Sequence, residues 1–163
     1  VNLGFNLTVI DDREEFANKK RFPSADVVVA SSSPEGFKSM EINKNTFIII
    51  ATRGHRYDHV SLEAALNTSA SYIGLLGSKR KTILIYEELL NKGINIERIK
   101  NVRAPIGLDI NARTPEEIAI SIMAEILMVR NGGEGNVMKL DSNLLNKTSA
   151  KVFRNKTDVK IGP

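Results

Sequence analysis

Thr46-Phe47-Ile48-Ile49-Ile50-Ala51 runs straight into Thr52-Arg53-Gly54-His55. An isoleucine-rich apolar run that breaks into a hydroxyl, a guanidinium, a glycine and an imidazole reads as a parallel strand covered on both faces. Two more runs end the same way. Tyr72-Ile73-Gly74-Leu75-Leu76 leads into Gly77-Ser78-Lys79-Arg80-Lys81, and Val102 to Ile106 leads into Gly107-Leu108-Asp109. The carboxyl ends of parallel strands open on one edge of a sheet, which is where ligands bind. This repetition predicts both the fold and the side of the molecule that works.

Outward from these runs, strands alternate with helical patterns, the arrangement of βα units around a parallel sheet. Asn6 to Ile10 reads as a strand ending at Asp11-Asp12, and Asp26 to Ala30 as a second one leading to Ser31-Ser32-Ser33-Pro34. Helices are predicted over Tyr57 to Asn67 and over Thr82 to Lys92, the latter stopped by Gly93. A third covers Thr114 to Arg130, with Thr114 as N-cap, Pro115 in the first turn and Glu117 completing a capping box. Its nearly continuous apolar side chains predict a largely buried helix. Phe16, Phe22 and Phe37 read as core contacts.

Residues 1–133 therefore read as one domain, and 134–163 as a polar basic tail, flexible or supplying an edge strand through Val159-Lys160-Ile161. Val1 to Phe5 reads as the final turn of a helix with Gly4 as its C-cap. The expected fold is α/β: a Rossmann-like parallel sheet with helices on both faces, lacking its first strand and glycine-rich turn. With no initiating methionine, the chain reads as a fragment. In the strand order 3-2-1-4-5-6 the first strand is central. Without it the expectation is two half-sheets with apolar edges, and a homo-oligomer, strand-swapped if an edge is shared.

Composition narrows the class. The chain has 163 residues, a net charge of +4 and no cysteine, which excludes disulfides, thiolate metal sites and cysteine nucleophiles. Residues 1–136 carry 17 basic and 17 acidic side chains, so the whole excess sits in the tail, with six against two. A nucleic-acid surface concentrates cations on the folded body, so no nucleic-acid partner is expected. Nor is a membrane, because no apolar run approaches the roughly 18 residues a spanning helix needs. A cytoplasmic location fits.

The segments Thr52 to Asp58, Tyr72 to Lys81 and Ala104 to Ile110, with Val9 to Ala17 and Thr114 to Ala119 in support, resemble the xanthine dehydrogenase accessory proteins (the XdhC/CoxI family), in their C-terminal Rossmann-like domain. The resemblance covers roughly residues 1 to 133. It implies a factor that handles molybdenum cofactor (molybdopterin) and helps deliver it to a molybdenum hydroxylase such as xanthine dehydrogenase; a non-catalytic binding and insertion role is the leading reading, with a chemical step left open. That family's separate cysteine-bearing domain is not part of this sequence.

The residues supply their own candidates. Gly77, Ser78, Lys79 and Arg80 open a helix with free N–H groups and cations, which suits a phosphate, or else form a solvated charge run. Thr52, Arg53, Gly54 and His55 offer a bidentate phosphate fork, close backbone approach and a titratable ring, or else a plain strand-to-helix turn capped by Asp58 or His55. Gly54 makes His55 a loop residue, and His59 reads as a surface helix residue; no metal is assigned to the pair. Asp11 and Asp12 end the first strand, where dinucleotide enzymes hold a ribose, or cap a turn. Asp109 meets a ligand amine or stabilises its own turn. The alternative function is an NAD(P)-dependent oxidoreductase, for which His55 is the obvious proton-transfer group.

Overall fold

The computed structural model describes residues 3–158, with side chains to Arg154. Its chain divides into two compact units, residues 1–127 and 128–163. The first carries four strands and most of the helices: β1 (Thr8–Asp11), β2 (Val27–Ala30), α1 (Ser33–Lys38), β3 (Phe47–Ile50), α2 (His55–Leu66), β4 (Tyr72–Leu75), α3 (Lys79–Asn91) and α4 (Ile96–Ile99). Then comes α5 (Pro115–Asn131), and the second unit holds α6 (Ser142–Asp158).

The strands form two separate parallel pairs. Thr8 to Asp11 align with Val27 to Ala30, and Phe47 to Ile50 align with Tyr72 to Leu75. The expected half-sheets are therefore present. Long side chains link them at both ends. Phe5, just before β1, meets Phe47 edge-on at 5.8 Å between ring centres, and Arg53, after β3, reaches Asp12 at 2.9 Å.

The core belongs to the β3–β4 half. Ile48, Ile50 and Leu75 pack with Leu62, Ala65 and Leu66 of α2, Ile85 and Leu89 of α3, and Ile99 of α4. On the opposite face, Tyr72 donates a hydrogen bond to Glu125 of α5 (2.9 Å), so helices cover both faces. The cover on that face is incomplete: Ile49 keeps 46% of its surface exposed, where an apolar run alone predicted burial. The β1–β2 half buries little beyond Ala17 and Ala25, as expected of a two-stranded ribbon.

Several local expectations change. Residues 102–106 form no full strand: Arg103 bridges Gly74, and Ile106 donates to the Leu75 carbonyl. Leu3 to Phe5 are not helical, although Gly4 has a left-handed φ of 77°. Phe16 lies under the guanidinium groups of Arg13 and Arg21 rather than in the core. The capping box forms as read, with Glu117 accepting from Thr114 N–H (3.0 Å) and Thr114 Oγ1 from Glu117 N–H (3.3 Å). Yet α5 buries only Ser121, Glu125 and Ile126 fully; its other apolar side chains are half-buried or exposed, since one stripe meets β4. The tail forms α6, and Val159 to Ile161 lie outside the described residues.

Candidate functional site

A cavity of about 350 Å³ opens where the two half-sheets end side by side. Asp11, Asp12 and Arg13 line it after β1, Ser32, Ser33 and Pro34 after β2, and Thr52 and Arg53 after β3. Arg56, Tyr57 and Ser61 of α2 close it. Strand ends carry these side chains because each apolar run gives way to polar residues, Asp11-Asp12-Arg13 after β1, Ser31-Ser32-Ser33 after β2 and Thr52-Arg53 after β3.

The wall is electrostatically paired. Arg13 forms a fork on Asp11, with Nε to Oδ1 and Nη2 to Oδ2 both at 2.9 Å. That hydrogen bonding holds the Asp11 carboxyl below its ordinary value, against partial burial that raises it. Arg53 spans to Asp12 and lies over the Tyr57 ring at 4.1 Å. Arg13, Arg53, Arg56, Asp11 and Asp12 thus line one space together with the hydroxyls of Ser32, Ser33, Thr52, Tyr57 and Ser61. Such a wall offers carboxylate acceptors to amine or hydroxyl groups and guanidinium donors to an anion.

Beneath this wall lies a residue to which the sequence assigned only a capping role. Asp58, in the first turn of α2, is fully buried. Its Oδ1 accepts from Thr52 Oγ1 (2.6 Å) and Thr52 N–H (3.3 Å), and its Oδ2 holds the Lys81 ammonium of α3. Lys81 is therefore neutralised from inside. A carboxylate one turn into a helix, six residues after a strand-end threonine, was the available signal.

Other expected residues stand apart from the cavity. His55 is the first residue of α2, not a loop residue, because Gly54 is extended (φ 176°) and already acts as the N-cap. The His55 Nε2 lies 3.0 Å from Glu88 of α3, a hydrogen bond that lowers the Glu88 carboxyl. His59 is buried rather than on the surface, since its side of α2 packs toward α3, with Glu88 Oε2 at 3.7 Å and Glu63 Oε2 at 3.9 Å. Among the described residues no group of three metal-binding side chains is assembled.

Ser78 caps α3 through Lys81 N–H (3.3 Å), while Lys79 and Arg80 are exposed. Gly77, Ser78, Lys79 and Arg80 do not line the cavity, and neither do Gly54, His55 and Asp109. Asp109 accepts weakly from Asn111 N–H (3.4 Å), in a turn where Asn111 has a left-handed φ of 56°.

Glu125 is the second buried carboxylate that periodicity hid. It sits inside the apolar pattern of α5 and accepts from both the Tyr72 hydroxyl and Gly107 N–H (2.7 Å). The same burial and hydrogen bond push the Tyr72 phenol above its ordinary value. A larger, more apolar groove of about 640 Å³, beside Phe37, Met40, Ile42 and Val60, holds none of the candidate residues.

Parallel strand pairs with helices on both faces, and a polar cavity at their carboxyl ends, define a Rossmann-type α/β domain. The chain belongs to the XdhC Rossmann domain family, which it matches over residues 1–126. It is 37% identical over 142 residues to the uncharacterized protein YqeB of Escherichia coli, covering 86% of this chain and 26% of that protein. It is 29% identical over 127 residues to a probable xanthine dehydrogenase subunit of Bacillus subtilis (78% of this chain, 36% of that protein). With the molybdenum cofactor insertion chaperone PaoD of E. coli it shares 32% over 92 residues, 56% of this chain and 29% of that one. A crystal structure of a xanthine dehydrogenase from Bacillus halodurans superposes with a TM-score of 0.70 at 32% identity, over 80% of this chain and 38% of that one. The chain spans about a quarter to a third of the length of these curated relatives.

Proposed function

We propose that this domain is the cofactor-handling module of an accessory protein that helps mature a xanthine dehydrogenase-type molybdenum hydroxylase. Its ligand is an anionic pterin or nucleotide-like molecule, molybdopterin in the first instance, seated at the carboxyl edge of the strands. The observation carrying this reading is the cavity between Asp11–Asp12 and Thr52–Arg53, whose charges suit a ligand with hydrogen-bond donors at one end and a phosphate at the other. A pterin brings ring amine and N–H donors for the carboxylates. Its phosphate competes with Asp12 for the Arg53 fork. The names of two relatives, a xanthine dehydrogenase subunit and a cofactor insertion chaperone, support the same role.

The Gly77–Arg80 turn enters as a second anion contact. It neighbours the Thr52 turn because β3 and β4 pair, and Lys79 and Arg80 make no ion pair among the described residues. Gly54 gives a ligand room to approach the backbone. No helix among the described residues is long and apolar enough to cross a membrane. A cytoplasmic module, acting as a homo-oligomer in which another strand completes the split sheet, fits these features.

The rival is an NAD(P)-dependent oxidoreductase, which needs a proton-transfer group beside the cofactor. His55 is held on Glu88 and does not line the cavity, which disfavours that reading. Calorimetric titration of the full-length protein with molybdopterin, NAD and NADP separates the two. Saturable molybdopterin binding that falls about tenfold in Arg53→Met is the expected result, one charged hydrogen-bonded contact being worth about 1.5 kcal/mol. Saturable binding of NAD alone, with turnover, overturns it.

A further inference from the structure

Arg13, Arg53 and Arg56 all line the cavity at the strand ends, and two of them are already committed. Arg13 forms its fork on Asp11 and lies over the Phe16 ring at 3.8 Å. Arg53 holds Asp12 at 2.9 Å and covers the Tyr57 ring at 4.1 Å. Each is fixed by a carboxylate and by an aromatic face, so neither takes up an anion without giving up a partner. Arg56 is different. It reaches the same cavity from the first turn of α2, yet it makes no hydrogen bond, ion pair or ring contact with any described residue.

The hydroxyls divide in the same way. Ser33 and Ser61 are bonded to each other at 2.8 Å, and Thr52 donates to the buried Asp58. Ser32 occupies the N-cap position of α1, but its side chain makes no cap hydrogen bond. An O–H group on the cavity wall is therefore left for a ligand. The charged side chains lining the cavity are these three arginines against Asp11 and Asp12, so one cation is in surplus. That surplus belongs to Arg56.

The chemistry of the anion follows from this inventory. Seating a phosphate on Arg53 exchanges one anion for another, because Asp12 has to give way. Seating it on Arg56 displaces only water, so the net gain arises there. A phosphate monoester brings about two negative charges and three acceptor oxygens, enough to use Arg56, the Ser32 hydroxyl and a share of Arg53 together. A phosphodiester or a carboxylate brings a single charge and leaves part of this donor set unused.

We infer that Arg56 is the anion-selecting residue of the cavity: it holds the terminal phosphate monoester of the ligand, with Ser32 as a hydroxyl donor and Arg53 as the contact that Asp12 contests. The inference rests on the cavity being the cofactor seat proposed above. It assigns the specificity of that seat to a residue outside the paired wall.

The test titrates the full chain calorimetrically with molybdopterin, with its phosphatase-treated dephospho form and with inorganic phosphate. Wild type binds molybdopterin about tenfold tighter than the dephospho form, the worth of one charged contact. Arg56→Gln weakens molybdopterin binding by about tenfold and leaves the dephospho form unchanged, so the preference disappears. Its melting curve stays that of the wild type, because the side chain it removes is exposed and has no partner. Inorganic phosphate competes with molybdopterin in the wild type and no longer does so in Arg56→Gln. An unchanged preference in Arg56→Gln overturns the assignment of Arg56, and so does an equal loss of both ligand forms. Inorganic phosphate that binds as tightly as molybdopterin makes this a free-phosphate site and overturns the ester. A wild type that binds both forms equally overturns the phosphate contact and leaves the cavity as the pterin seat. A wild type that binds neither form overturns both readings.

Discussion

The Asp58 carboxylate, closed off from solvent in the first turn of α2, holds the Lys81 ammonium from the first turn of α3. Its other oxygen fixes Thr52 at the end of β3. The turns after the two paired strands therefore share one buried anion, and the Thr52–Arg53 wall of the cavity is positioned from beneath. Lys81→Met leaves that anion without its counter-charge and is expected to cost about 3 kcal/mol in urea unfolding. Asp58→Leu costs a similar amount. The double variant loses less than the sum, with a coupling of about 1–3 kcal/mol. Strict additivity would show that the pair is not a unit.

The Tyr72–Glu125 contact predicts an alkaline limit. Burial, then the hydrogen bond to Glu125, raises the Tyr72 phenol in the folded state. The unfolded chain releases that proton near pH 10 while the folded chain keeps it. This contribution is complete below pH 10 and lost progressively as pH rises toward the folded value. In Tyr72→Phe the loss of stability above pH 10 is shallower, and neutral stability falls by about 1 kcal/mol. Parallel alkaline unfolding curves for the two proteins would refute this.

Acid acts on the cavity wall. The Arg13 fork lowers the Asp11 carboxyl, so its contribution is present above about pH 4 and lost as pH falls through the lowered folded value. Carboxyl titration by NMR is expected to move upward in Arg13→Ala. An unchanged Asp11 titration would detach the carboxyl from that fork.

Two glycines separate folding from binding. Gly107 has a φ of 104°, and a Cβ there meets the Ser121 hydroxyl, so Gly107→Ala is expected to destabilise by about 2 kcal/mol or more. Gly54 is extended with nothing near a Cβ, so Gly54→Ala leaves the melting curve within about 0.5 kcal/mol of wild type. If a ligand crosses the backbone there, Gly54→Ala weakens molybdopterin binding at unchanged stability.

Much of the frame was legible because its causes are local. The strand at Phe47–Ile50 was readable from continuous isoleucine, and the start of α5 from Thr114-Pro115-Glu116-Glu117. The two half-sheets followed from strand order. The site was legible only in part. Asp11, Asp12, Thr52 and Arg53 meet at one cavity, whereas His55 turns to Glu88 and Ser78 is used in capping α3. A sequence marks which side chains stand at strand ends, but not how each is rotated around the helix that follows.

The sequence by itself determined alternation, capping and the placing of charge at strand ends, because these depend on neighbours within a turn or two of chain. Only the tertiary structure decided that Asp58, His59 and Glu125 are buried, and which partners meet them. Glu125 finds Tyr72 across 53 residues, and Arg53 finds Asp12 across 41. A polar side chain is buried at such distances only where packing brings it a compensating partner, and packing is a property of the whole domain.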